Sequence, residues 1–226
     1  MNEPNLLLVK LGCTGETTTT MLSGGRCTTY PGGLSQVGAA GLFLAQHPGK
    51  VKYLTNDIGA NDVQKCASTG SLDVSCAING VTTLSTNLPL IVGALKTAMA
   101  VSGNNTAAFV GMNYYNPFVA SYLNGFNGAF LAAVTSLVTY VVNTAEEKTY
   151  QAANAPVADV SSAFQSYDFF TFKDLPGTGP VPAPVYNICT LTYMCSVGDT
   201  HANQAGYKVI ADAFAAKLTS ATPGLT

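Results

Sequence analysis

The feature that most restricts this chain is the alternation of short apolar runs with much longer segments of helical period. The short runs lie at residues 5–11, 51–58, 106–113 and 157–160, and the longer segments between them at 34–46, 74–96 and 118–152. A strand that returns parallel to its predecessor needs a crossover of a dozen or more residues, usually a helix. The pattern therefore predicts an α/β chain with a parallel sheet covered by helices. A last segment, 203–218, puts Tyr207, Ile210, Ala211 and Phe214 on one face of a helix. The proline-rich stretch 175–184 is predicted as loop, because proline gives up a backbone donor and fixes its φ. Residues 1–226 read as a single domain, with no internal repeat.

Composition removes several function classes. Ten Lys and Arg against 12 Asp and Glu give a formal charge of −2, so no basic face is expected for nucleic acid. Mean hydropathy is +0.25 and 47% of residues are hydrophobic, which raises the question of a membrane. The longest apolar candidate, 129–142, is interrupted by Thr135, Ser136 and Thr139, so stable membrane insertion is not expected.

The six cysteines fall into three sequence-local pairs, Cys13 with Cys27, Cys66 with Cys76 and Cys189 with Cys195. Six cysteines allow 15 connectivities, and proximity favours the sequential one. Zinc is the competing reading, but there is no Cys-x-x-Cys, and His47 and His201 are both remote from the cysteines. No metal or cofactor is expected. Disulfides suit a secreted or extracytoplasmic chain, although 1–9 lacks the charged and apolar regions of a signal peptide.

Two segments can carry chemistry. The first, Thr55-Asn56-Asp57-Ile58-Gly59-Ala60-Asn61-Asp62-Val63, runs from a strand end into a turn. Ligands of open parallel sheets bind beyond the carboxyl ends of the strands. An Asn there can aim its amide at a developing oxyanion, or it can simply make the turn with the aspartates. The second segment places Asp199 two residues before His201, just ahead of the last helix. A carboxylate beside an imidazole fixes its tautomer and suits it to act as general base, while the plain reading is an Asp-capped helix start. His47, followed by Pro48 and Gly49 at a helix end, reads as structural.

Taken in order, these segments resemble the SGNH, or GDSL-type, hydrolase family, and within it the secreted, disulfide-containing bacterial esterases and lipases. Leu11-Gly12-Cys13-Thr14-Gly15-Glu16-Thr17 resembles the family's second block, Gly59-Ala60-Asn61-Asp62 its third, and Asp199 with His201 its last. The stretch Asn113-Tyr114-Tyr115-Asn116-Pro117-Phe118 is similar to the strand end before the family's long helix. The resemblance implies a three-layer α/β/α sandwich with a flavodoxin-like parallel sheet and an esterase or lipase activity. It implies His201 as general base, Asp199 as its orienting acid, and Gly12 and Asn61 as oxyanion donors. The family's first block, a Gly-Asp-Ser turn carrying the nucleophile, has no match, so relative to the family this is either an N-terminally truncated domain lacking the first strand or one in which another residue or water makes the attack. Ser23, Ser35, Ser68 and Ser71 lie near the second and third blocks, and nothing in the sequence selects among them. The expected partner is a small ester or lipid substrate, and a bare sheet edge would invite self-association. The alternative is a non-catalytic remnant that binds an acyl or glycan ligand.

Overall fold

The computed structural model describes residues 5–220, with side chains through Leu218. Within them the chain is mixed α/β, mostly helical, around a small parallel sheet of three strands. Helices α1 (Thr18–Ser23) and α2 (Gln36–Gln46) lead to strand β1 (Tyr53–Asn56). Helices α3 (Ala60–Val63) and α4 (Val74–Val101) connect it to β2 (Ala108–Met112), and α5 (Gly125–Ala152) continues to β3 (Val157–Ala158). The strands are parallel in the order β1-β2-β3, with Tyr53 opposite Ala108 and Gly111 opposite Val157. Beyond β3 come α6 (Val160–Ala163), the antiparallel pair β4 (Phe172–Leu175) and β5 (Gly179–Pro182), then α7 (Ala183–Leu191), α8 (Met194–Val197) and α9 (Gln204–Ser220).

Local chemistry accounts for the helix starts. Thr17 accepts from the Thr20 N–H and the Thr20 hydroxyl accepts from the Thr17 N–H, so α1 opens on a reciprocal box. Ser35 caps α2 by accepting from Gly38, and Asp73 caps α4 by accepting from Cys76.

Packing follows from the pleat of β2, whose successive side chains point to opposite faces. Phe109 joins one apolar cluster with Leu44 of α2 and Leu84, Leu88 and Ile91 of α4. Val110 and Met112 join another with Phe164 and with Val185 and Ile188 of α7. Each fully buried leucine or isoleucine contributes roughly 1.5–3 kcal/mol. Two helical stretches, Val74–Val101 and Pro117–Ala152, are long and apolar enough to span a membrane by length and composition. The longest apolar stretch was read from sequence as too interrupted for that. Thr135 and Ser136 do not break it, because their hydroxyls donate back to the Ala132 carbonyl within the helix.

Three expectations need correction. Residues 5–11 form no strand: they are irregular, and Leu7 is 87% exposed. An apolar run becomes a strand only where a neighbour completes its hydrogen bonds, and none of the described strands pairs with it. The stretch 175–184 is not loop: it holds the end of β4, the turn, β5 and the start of α7. Thr171 O accepts from Ala183, and Val181 faces Lys173, so Pro180 and Pro182 occupy the alternate positions whose nitrogens point away from β4. In α9, Ile210 and Phe214 pack on the core with Val209 and Ala213, whereas Tyr207 and Ala211 are exposed. The three cysteine pairs expected from proximity are bridged, with Cα separations of 5.9, 5.4 and 4.9 Å. Residues 1–4, part of the segment read for a signal peptide, lie outside the described residues.

Candidate active site

A cavity of about 240 Å³ opens beyond the carboxyl ends of β1 and β2, where the crevice of a parallel sheet is expected. Asn61 of α3, Tyr114 and Tyr115 after β2, and Thr200 and His201 before α9 all line it. Its walls are otherwise largely apolar, from Ile58, Val63, Met112, Phe118, Val142 and Ile210. A second, more open hollow is lined by Gly15, Thr17, Gln64 and Lys65, and it shares Asn61, Gln64 and Phe118 with the first.

Three contacts fix the turn that carries Asn61. Its side-chain amide donates to the Glu16 carbonyl at 2.9 Å. An amide group has two N–H donors, and no described residue accepts the second. Asp62, next along, accepts the Thr18 N–H at 2.9 Å and the Thr18 hydroxyl at 2.7 Å, tying α3 to α1. Gly59 has φ +144° and lies against the Glu146 carboxyl, so a side chain there would be both strained and obstructed. Asp62 thus has the turn-building role, and Asn61 shares it through one of its two donors.

His201 donates from Nδ1 to Asp199 Oδ1 at 2.5 Å, and its backbone N–H reaches the same oxygen at 2.9 Å. The second bond and then the first hold the Asp199 carboxyl below the usual range. Nδ1 is thereby committed and Nε2 is left as the acceptor. The His201 and Asp199 side chains are 66% and 49% exposed. His47 behaves as its sequence context suggests, with Nδ1 bonded to the Phe43 carbonyl and its ring stacked on Phe43 at 4.1 Å.

Acidic groups gather beside the Gly59 turn. Asp57 lines the cavity, and burial pushes its carboxyl up. Behind it, Glu146 of α5 is 0% exposed, and neither of its oxygens has a hydrogen-bond partner among the described residues. Burial first, then the charges of Glu147, Asp62 and Asp57, raise its pKa well above the ordinary glutamate value. The Tyr114 hydroxyl is also buried, and burial first and then Glu146 push it up, against a smaller opposing effect of the Ala60 backbone.

Other residues named from sequence lie elsewhere. Gly12 is exposed and lines neither hollow, whereas Gly15, three residues on, has φ +73° and lines the hollow it shares with Asn61. Ser23, Ser35, Ser68 and Ser71 line neither hollow. Ser35 caps α2, Ser23 donates to the Thr19 carbonyl, and Ser68 and Ser71 close a turn on each other. The hydroxyls that do line the cavity belong to Thr139, Thr200, Tyr114, Tyr115 and Tyr207. Sequence reasoning placed Asp57 in the strand-end segment only as a turn residue, and it did not single out Gln64 or Glu146. The strand-end rule could have found Asp57, which directly follows β1, but nothing local marks Glu146. No group of three or more His, Cys, Asp or Glu that could hold a metal occurs among the described residues. Compared with known proteins, the chain matches no family model, no curated protein and no solved structure.

Proposed function

We propose that this chain hydrolyses carboxylic esters at the cavity shared by Asn61 and His201. The observation that carries the reading is convergence: two segments 140 positions apart in sequence, singled out for complementary chemistry, line one cavity at the carboxyl end of a parallel sheet. In this reading His201 Nε2 takes the proton of the attacking group and returns it to the leaving alcohol, while Asp199 holds the tautomer and steadies the imidazolium. The second amide hydrogen of Asn61 would meet the oxyanion, with backbone N–H groups near Gly15 better placed than those near Gly12 to assist. The acyl group would occupy the enclosed apolar cavity and the alcohol the open hollow beside Lys65. Its volume of about 240 Å³ favours a short acyl chain. The attacking group is either a hydroxyl lining the cavity or water.

The SGNH-like sandwich implied by the sequence is part of the same proposal, as is an extracytoplasmic setting, with which three disulfides are compatible. The test is hydrolysis of p-nitrophenyl acetate by the purified chain beside an identically prepared His201→Ala variant. Turnover that the substitution abolishes supports the reading. No turnover in either protein supports the remnant, a cleft that binds an acyl or glycan ligand without chemistry.

A further inference from the structure

The Asp199–His201 pair is exposed and lies on a connecting loop, so its own hydrogen bond cannot fix where the imidazole sits relative to Asn61. The residue between them, Thr200, is held from two sides. Its hydroxyl accepts from Gln64 Nε2 at 2.5 Å, and its carbonyl accepts from the Tyr115 hydroxyl at 2.8 Å. Gln64 follows α3 directly and is three residues beyond Asn61, so its bond ties the oxyanion segment to the base segment. Tyr115 follows β2, and its ring stacks on the fully buried Phe164 at 4.4 Å between centroids, which makes the phenol a rigid anchor. The far side of the loop is pinned by backbone bonds, Tyr193 N–H to the His201 carbonyl at 3.0 Å and Asn203 N–H to the Leu191 carbonyl at 2.9 Å.

We infer that Gln64 and Tyr115 are positioning residues for His201, acting through Thr200 to hold the base and the oxyanion donor in one fixed geometry. The inference rests on the ester-hydrolase reading for its consequence in catalysis, but its geometric content stands apart from activity. Releasing Thr200 frees the Asp199 side of the loop to move relative to the pinned His201 carbonyl, which loosens the Nδ1 bond and lets Nε2 turn away from the cavity.

The experiment compares the full chain with Thr200→Val, which removes the hydroxyl accepting from Gln64, and Thr200→Ser, which keeps it. Gln64→Leu and Tyr115→Phe are measured alongside, and circular dichroism checks each fold. The first readout is the ring ¹⁵N spectrum of neutral His201. The protein has only two histidines, and His47, held by Phe43, is the internal reference in the same spectrum. In Thr200→Val the Nε2–H form of His201 should gain about threefold or more over the Nδ1–H form, with His47 unchanged and Thr200→Ser like the parent. The second readout is p-nitrophenyl acetate hydrolysis by Gln64→Leu, which keeps every hydroxyl lining the cavity, and its kcat should fall on the order of ten- to a hundredfold with KM nearly constant. Unchanged tautomers in folded Thr200→Val and Gln64→Leu overturn the inference whether or not the parent is active. A shifted tautomer in a chain that hydrolyses no ester upholds the positioning role and rejects the esterase reading.

Discussion

Glu146 ties the stability of this protein to pH. Its carboxyl is fully buried, unpartnered among the described residues, and faced by acids and phenols: Glu147 on its own helix, Asp57 beyond β1, Asp62 of α3, Tyr114 after β2 and Tyr150 farther along α5. No cation is among the groups that shift it. Burial and those negative neighbours keep the proton on in the folded state, whereas the unfolded chain releases it near the ordinary glutamate pKa, about 4.3. Above that pH the native state binds the extra proton, so stability falls as pH rises until Glu146 ionises in the folded protein. One proton corresponds to about 1.4 kcal/mol lost per pH unit across that window, and Asp57 and Asp62, both also raised by burial, add to the slope in the same direction. Glu146→Gln keeps the shape and removes the proton. Denaturant unfolding with disulfides intact, repeated at pH 5, 6 and 7, should show the parent losing stability with pH more steeply than the variant, by at most about 1.4 kcal/mol per unit. Equal slopes in the two proteins would refute the burial argument.

Three further outcomes follow from the structure. Replacing Cys66 and Cys76 together by serine should cost about 2–3 kcal/mol, read by denaturant unfolding, because the bridge closes a loop of 10 positions. Gly111→Ala should destabilise by roughly 1–3 kcal/mol, read as a lowered Tm, since a Cβ there meets the ring of the fully buried Tyr150. A fluorophosphonate probe, mapped by mass spectrometry, should label one hydroxyl lining the cavity if the nucleophile is a side chain, and His201→Ala should suppress the labelling. Steady turnover with no adduct would instead assign the attack to water, and an adduct remote from Asn61 and His201 would count against the site.

What the sequence revealed, and what it hid, divides along the range of the interactions. Strands β1 and β2 and helices α2, α4, α5 and α9 were legible because their apolar periods are local properties. Residues 5–11 have the same strand-like character as 51–58, yet only the second finds a parallel neighbour, and periodicity carries no information about neighbours. The β4–β5 hairpin was hidden because its prolines were judged by composition, while their alternate spacing is what an edge strand tolerates. Asp199 and His201 were legible because two positions separate acid from base, and Asn61 because it follows a strand end. Gly12 and Gly15 stand three positions apart, and only backbone conformation tells them apart. The Gln64–Thr200 contact spans 136 positions, and two of the three acids that raise Glu146, Asp57 and Asp62, come from a segment far from it in sequence. No local pattern encodes either.

The central claim, that Asn61 and His201 serve one hydrolytic centre, is tested most directly by the kinetics of Asn61→Ala on p-nitrophenyl acetate. Its second amide hydrogen is assigned to the transition state and not to substrate binding, and its first to the Glu16 carbonyl. The account predicts a kcat lower by about a hundredfold or more at nearly unchanged KM, in a protein that stays folded with its Tm lowered only by the loss of the Glu16 bond. A folded Asn61→Ala protein turning over at a near-native rate would contradict it.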